Sequence, residues 1–261
     1  MSFIREMKTE DIDVVVKIIA SQSEEDAEEA EPGYREVGGI MDQYVIEQDG
    51  QVIGVTGFVS PPGCEQTHWL SWTYVDENHT GKGNGRKMLN ELLEVVKEQG
   101  GRKIFVKVSD YIDEEDGDIY AAALHLYQSL GFKKELIHKD YYTEGEAQIV
   151  LGLRLKDAVA ENVIEPDECP VQFNSVFEID ETDDAYSFGW HDEGVSAFTQ
   201  DDVKVGLNQV REDEGRAVFL SFPSNFVGVS ETLLASGFSN SGVLDDYYED
   251  GIHEQHFTYR F

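Results

Sequence analysis

The chain has 261 residues, 40% of them hydrophobic, and sets 53 acidic side chains against 20 basic ones for a net charge of -33. That length holds one large domain or two modest ones with real cores, and that charge repels nucleic-acid phosphates and anionic membrane surfaces. The acidity reads as a solvated surface suited to salty or cold surroundings, as a cation-attracting cleft, or as both.

In chain order, residues 3–7 read as a short strand. Thr9 reads as the cap of an amphipathic helix with Ile12, Val15, Val16 and Ile19 on one face. The acidic run 24–31 fits a solvated helix end or a loop. Residues 43–47 and 52–60 alternate as strands about the turn Gln48-Asp49-Gly50, and 66–75 is the next strand. The glycine loop Thr80-Gly81-Lys82-Gly83-Asn84-Gly85 follows, and then a helix over 87–99 that ends at Gly100-Gly101. Residues 103–108 are apolar enough for a central strand. Residues 110–118 form an acidic loop, 119–130 a helix stopping at Gly131-Phe132, and 134–142 with 148–155 a hairpin about Glu144-Gly145. Residues 157–169, broken by Pro166 and followed by Pro170, read as a linker.

The second half repeats the first. Gly101-Arg102-Lys103-Ile104-Phe105 aligns with Gly215-Arg216-Ala217-Val218-Phe219, 114 residues on. Gly131-Phe132 aligns with Gly237-Phe238, Asp140-Tyr141-Tyr142 with Asp246-Tyr247-Tyr248, Gly145 with Gly251 and Arg154 with Arg260, all 106 residues on. The difference is about the length of the acidic 110–118 loop, so the second half is expected to be the same α/β unit with that loop trimmed.

Cys64 and Cys169, the only cysteines, form neither a ligand cluster nor a disulfide framework, and no metal is expected. Residues 1–6 lack a basic leader followed by an apolar run, and no run approaches the length of a membrane span, so the expectation is a cytoplasmic protein with reduced thiols.

A strand, a glycine loop and a helix N-terminus together make an anion site, because glycines let a ligand approach the backbone and the first helical N–H groups have no intrahelical partner. Four strands and a helix precede this loop, which departs from a dinucleotide-binding fold. Arg86-Lys87 after Gly85 departs from a P-loop, which ends in Gly-Lys-Ser/Thr.

The order of elements resembles the GNAT superfamily of acyl-CoA-dependent N-acyltransferases. That family's loop is Gln/Arg-x-x-Gly-x-Gly/Ala, and Thr80-Gly81-Lys82-Gly83-Asn84-Gly85 matches both glycine positions with Thr80 in the polar one. Its later motif is matched by Ala123, Leu126-Tyr127, Gly131 and Phe132, while Tyr120 stands where Asn is usual. The resemblance covers about residues 3–155 and, more faintly, the second half. It implies tandem GNAT-like α/β folds of the α+β type, each a mixed, mostly antiparallel sheet flanked by helices. Residues 1–156 would be the catalytic domain, 157–169 the linker and 170–261 a degenerate copy without the loop.

The resemblance further implies acetyl-CoA as co-substrate. Its pyrophosphate would lie on the N–H groups of Gly81 to Arg86, with Lys82, Arg86 and Lys87 adding positive charge. Its pantetheine arm would run along Tyr74-Val75. Thr80 and Tyr120 would lie near it, Tyr120 in a less defined role. An N–H near Val75 would polarise the thioester, and Tyr127 would be the general acid. Read from the residues alone, Tyr127 is a packing tyrosine, His68 and His125 are structural or candidate bases, and Trp69, Trp72 and Tyr74 are core or line an acyl cleft. The acceptor would be a primary amine, a small cationic one or a lysine side chain. No nucleic acid or membrane is expected as partner. The chain would be a monomer with an intramolecular pseudo-dimer, or a homodimer. A CoA-binding sensor or interaction protein without turnover is the alternative. In the second half, Gly81, Gly83, Gly85 and Tyr127 fall on Val195, Ala197, Thr199 and Leu233, and Thr199-Gln200-Asp201-Asp202 is a capping pattern.

Overall fold

Apolar spacing sets the elements that carry the first half of the chain. After strand β1 (Ile4–Glu6), helix α1 (Ile12–Ala20) buries Ile12, Val15, Ile18 and Ile19 along one stripe. Thr9 does not cap it. Residues Thr9–Asp11 form a 3-10 turn, in which the Asp11 carboxylate accepts the Lys8 N–H at 2.8 Å and pairs with Arg5 at 2.7 Å. The acidic run is not a loop: it is the N-terminal part of a full helix α2 (Glu24–Arg35) that buries Ala27, Ala30 and Tyr34. The Ser23 hydroxyl accepts the Asp26 N–H at 3.1 Å, and three acids occupy the first turn, where the helix dipole favours negative charge.

The computed structural model describes residues 4–112, 117, 120–157, 172–191 and 198–261. These fall into two compact units. The first comprises Met1–Val106, Gln128–Gly131 and Leu153–Asp157, and the second Lys107–Tyr127, Phe132–Gly152 and Ala158–Phe261. Residues 107–127 and 132–152 thus cluster with the C-terminal half. Nearly all of the expected linker, with Cys169, lies outside the described residues. Among the described residues no helix is long and apolar enough to cross a membrane.

In the first unit, β2 (Gln43–Gln48) and β3 (Gln51–Val59) form the expected hairpin, and β1 pairs antiparallel with β2. Strand β3 is buried from Ile53 to Phe58, as a central strand should be. The expected strand over 66–75 is broken into β4 (Thr67–Leu70) and β5 (Tyr74–Val75). Both pair antiparallel with β3, through Phe58↔Leu70 and Val55↔Tyr74, so one extra residue is accommodated between them. Ser71 and Thr73 hold the break: the Ser71 hydroxyl donates to Gln43 at 2.7 Å, and the hydroxyls of Thr73 and Thr56 bond at 3.0 Å. Helix α3 (Asn84–Glu98) starts three residues earlier than expected and buries Met88, Leu89, Leu92, Leu93 and Val96. Strand β6 (Lys103–Ser109) pairs parallel with β4 over Thr67–Trp69 and Lys103–Phe105.

Helix α4 (Ala121–Ser129) follows. In the second unit β7 (Lys133–His138) pairs antiparallel with β8 (Gln148–Arg154) and ends earlier than expected, because Asp140 turns the chain at φ 47°. Beyond it come β9 (Gln172–Glu178), β10 (Ala185–His191), α5 (Gln200–Glu212), β11 (Ala217–Pro223), α6 (Val227–Ala235), β12 (Ser239–Glu249) and β13 (Ile252–Arg260). The sheet order here is β8-β7-β12-β13-β11-β10-β9, and β10 with β11 is its parallel pair. Its main core gathers Phe188, Val203, Val210, Leu220, Phe222, Leu233 and Phe257.

The repeat read from sequence recurs as local geometry. A Cβ on Gly101 would stand 2.4 Å from Val96, and one on Gly215 would stand 2.5 Å from Val210, so both positions close a helix onto the following strand. Asp140 and Asp246 share φ near 50°, and each carboxylate accepts an N–H at 2.9 Å, from Gly145 and Gly251. The rings of Tyr141–Tyr142 and Tyr247–Tyr248 both stand 5.1 Å apart, edge to face. The parallel pair β4–β6 recurs as β10–β11.

Candidate active site

Val75 ends β5 with its backbone turned outward. The next N–H, of Asp76, donates to the Ile53 carbonyl of β3 at 2.9 Å. Strand alternation therefore points the Val75 N–H and C=O away from β3. The Val75 C=O accepts from Gln22 Nε2 at 2.5 Å, and its N–H has no protein acceptor among the described residues.

The chain then turns. Asp76 caps a 3-10 turn (Glu77–His79), accepting the Asn78 N–H at 3.0 Å and bonding His79 Nδ1 at 3.0 Å; that imidazole holds the Asp76 carboxyl below its usual range. Thr80 donates its hydroxyl to the Glu77 C=O at 2.9 Å, so the side chain in the family's Gln/Arg position is spent inside the turn. Gly81 and Gly83 follow at φ 70° and 81°. A Cβ at either would meet nothing within 4 Å, so what requires glycine here is the left-handed backbone and not lack of space.

Gly83 is the N-cap of α3. No side chain caps the helix, and its first turn contains no acid. The first backbone bond into the helix runs from the Lys87 N–H to the Gly83 C=O at 3.1 Å. Among the described residues, no protein group accepts from the N–H groups of Gly81 through Arg86. Lys82 folds back to the Asn78 C=O at 2.6 Å and Asn84 to the His79 C=O at 3.0 Å, which brace the loop, while Arg86 and Lys87 are exposed beside it. A row of unpaired N–H donors at a positive helix end, beside two exposed cations, has the chemistry to hold an anion.

The first unit thus gathers Tyr74, Val75, Thr80, Gly81, Lys82, Gly83, Asn84, Gly85 and Arg86 on one β5–turn–α3 segment. The ring of Tyr74 packs on the core under α1 and α2, as does Trp72, and its hydroxyl donates to the Asp26 carboxylate. Trp69 packs on Phe105 at 5.3 Å. His68 is buried, bonded to the Ser60 hydroxyl at 2.9 Å and shifted toward the neutral form by burial.

Tyr120 and Tyr127 belong to the second unit. Tyr120 is exposed, and its C=O accepts the Leu124 N–H at 2.9 Å at the start of α4. Tyr127 is buried with its ring 5.7 Å from Phe132, and burial pushes its hydroxyl up to about 12. His125 is exposed. Asp110 is tied to Ala147 by two bonds, donating its N–H at 3.1 Å and accepting at its carboxylate at 2.6 Å. In the same unit, α5 carries what α3 lacks. Asp202 accepts the Thr199 N–H and hydroxyl, each at 2.8 Å, and Asp201 and Asp202 fill the first turn. Val195 and Ala197 lie outside the described residues.

Sequence reasoning missed Gln22 and Asp26, which reach β5 from the α1–α2 turn, and the Asp76–His79 pair. The i, i+3 spacing of the last was a visible signal; nothing in the sequence marked the first two.

Residues 14–132 match the model of the Acetyltransferase (GNAT) family. This segment is a GNAT acetyltransferase domain. Among curated proteins, the chain is 30% identical over 94 residues to human N-acetyltransferase 8B, covering 35% of this chain and 38% of that protein. It is 30% identical over 113 residues to N-alpha-acetyltransferase RimI of Mycobacterium tuberculosis, covering 41% of this chain and 63% of that protein. The matches therefore span less than two thirds of these relatives. Among solved structures, a GNAT-family protein from Desulfovibrio desulfuricans aligns over 59% of this chain and 98% of its own, at 23% identity and a TM-score of 0.52, a likeness of fold.

Proposed function

We propose that the GNAT domain transfers an acetyl group from acetyl-CoA to a primary amine. The observation that carries this is the uncapped N-terminus of α3, set one short turn beyond an outward-facing Val75 N–H. In this reading the pyrophosphate of acetyl-CoA lies on the N–H groups of Gly81 to Arg86, and the pantetheine arm follows β5. The Val75 N–H donates to the thioester oxygen and stabilises the charge that develops there. The neutral amine attacks the carbonyl carbon, the C–S bond breaks, Tyr127 gives its proton to the departing thiolate, and the proton lost from the amine nitrogen passes to solvent water, from which Tyr127 is reprotonated. A hydroxyl pushed up to about 12 stays protonated at neutral pH, as an acid must. The acceptor is a small cationic amine or a lysine side chain. Its support is the acidic α2, whose Asp26 is bonded to Tyr74 of β5.

Residues 1–156 then form the catalytic domain, 157–169 the linker, and 170–261 a degenerate copy that binds no CoA, because α5 fills its own N-terminus with carboxylates. A second reading, a CoA-binding sensor without turnover, draws on Thr80 and Tyr120. The first is engaged within its turn and the second stands where the family has Asn.

Thiol release from acetyl-CoA against a panel of amines tests the reading. Turnover with a cationic amine, reduced in Tyr127→Phe, is the expected result. CoA binding without turnover on any amine would leave only the sensor.

A further inference from the structure

Two side chains from the α1–α2 turn grip the two residues of β5. Gln22 stands between the cap of α1 at Ser21 and the N-cap of α2 at Ser23, and its Nε2 donates to the Val75 C=O at 2.5 Å. One helical turn on, Asp26 accepts the hydroxyl of Tyr74. The turn itself is fixed: the N–H groups of Gln22 and Ser23 both donate to the Ile19 C=O at 2.9 Å, and the Ser23 hydroxyl accepts the Asp26 N–H.

The Val75–Asp76 peptide is therefore held from both sides. On one, its N–H donates to β3 at Ile53. On the other, its C=O is held by Gln22. This matters because β5 is two residues long, is cut off from β4 by the break at Ser71–Thr73, and pairs with β3 alone. Without Gln22, the outer edge of the strand has no side-chain anchor at the residue whose N–H faces outward.

We propose that Gln22 is a positioning residue for acyl transfer: it fixes the end of β5 so that the Val75 N–H is aimed at the thioester oxygen. This rests on the reading of Val75 given above. Gln22 touches no reacting atom in this scheme and acts through the backbone of Val75. A donor on a long, flexible side chain is what the position needs, so lysine can substitute in part, whereas alanine and leucine cannot.

The test uses the full chain and two readouts. The first is the Val75 amide proton, followed by NMR while acetyl-CoA is added. The wild type should show a downfield shift that is lost or at least halved in Gln22→Ala and Gln22→Leu and partly restored in Gln22→Lys. The second is steady-state kinetics. Gln22→Ala should lower kcat roughly ten- to hundredfold, the scale of a small misplacement of a reacting group, while the Kd for acetyl-CoA stays within about twofold, since the pyrophosphate loop is untouched. Thermal midpoints of all variants should match the wild type.

An unchanged Val75 shift in Gln22→Ala overturns the proposal, as does a fall in kcat that simply follows a loss of stability. If the wild type binds acetyl-CoA without turning over, the enzyme reading fails while the amide shift still decides the role of Gln22. If the wild type binds no acetyl-CoA, both fall.

Discussion

Replacing Gly83 with aspartate places a carboxylate where an anion is expected to sit. Gly83 is the N-cap of α3 at φ 81°, and a Cβ there meets nothing within 4 Å, so the substitution costs no packing. The left-handed backbone penalises a side chain by about 1–2 kcal/mol, and an N-cap carboxylate recovers about 1 kcal/mol by accepting from the free N–H groups of the first turn. The two nearly cancel, and the fold should survive. The ligand does not escape so lightly. Charge-assisted bonds to N–H donors are worth about 1.5–3 kcal/mol each, and losing one to an internal carboxylate weakens CoA binding roughly 10- to 100-fold. Isothermal titration with CoA and with acetyl-pantetheine, which lacks the pyrophosphate, separates the causes. The loss should be confined to CoA, and Gly83→Ala, which keeps the strain without the charge, should lose far less. CoA affinity within twofold of wild type in Gly83→Asp, or an equal loss for acetyl-pantetheine, would refute the phosphate assignment.

Tyr127→Phe should lower kcat about 10²-fold or more and leave the acetyl-CoA Kd unchanged, as read by single-turnover kinetics and titration; equal activity would return Tyr127 to a packing role. Gly54→Ala should destabilise the chain by about 1–3 kcal/mol in urea unfolding, because its Cβ would stand 2.8 Å from Ile46 Cδ1 and 2.9 Å from the Tyr74 C=O, unseating β5. His138 gives a pH signature. Burial, then His256 and Arg260, push its pKa to about 3, and its buried Nδ1 has no hydrogen-bond partner among the described residues. The unfolded chain takes up that proton first, so the stability His138 confers is complete above about pH 6.5 and declines as pH falls toward 3. The stability gap between wild type and His138→Phe should therefore shift against the wild type by about 2 kcal/mol from pH 7 to pH 5; a constant gap would count against the buried neutral imidazole.

How far the sequence reached depended on whether a feature was written in one segment or between several. The loop was legible because glycines at alternate positions and the lack of acids after them are local facts, and Gly81 and Gly83 form a turn that leads into a helix, though that helix begins three residues early. The early start of α3 follows from the same loop, since Asn84 and Gly85 are poor helix formers that the N-terminus tolerates. The break in the β4–β5 segment was invisible: Ser71-Trp72-Thr73 suits a strand by propensity, and the break depends on Gln43 and Thr56 from neighbouring strands. The acidic α2 was hidden by its composition, since only Ala27, Ala30 and Tyr34 mark its buried face. Gln22 was beyond reach, because an exposed glutamine reaching a carbonyl 53 residues away leaves no pattern.

The two halves of the chain make the strongest case for what the loop does. Both close a helix onto the next strand through the same glycine contact, at Gly101 and Gly215, and both hold their hairpin turn with the same aspartate-to-glycine bond. Against that shared background the helix N-termini differ in kind. In α5 the Asp202 carboxylate accepts the N–H and hydroxyl of the cap residue Thr199, and Asp201 and Asp202 set two carboxylates in the first turn, the solution that serves stability. In α3 the chain has glycine at the cap, no acid in the first turn, and two cations beside it, and its first N–H groups have no protein acceptor among the described residues. In a chain with 53 acids, the first turn of α3 is a place where one would have stabilised the helix by about 1 kcal/mol and none is present. A stability gain available at the second helix and forgone at the first is what a reserved anion site requires, and it supports the proposal that the first helix, and not the second, receives the pyrophosphate.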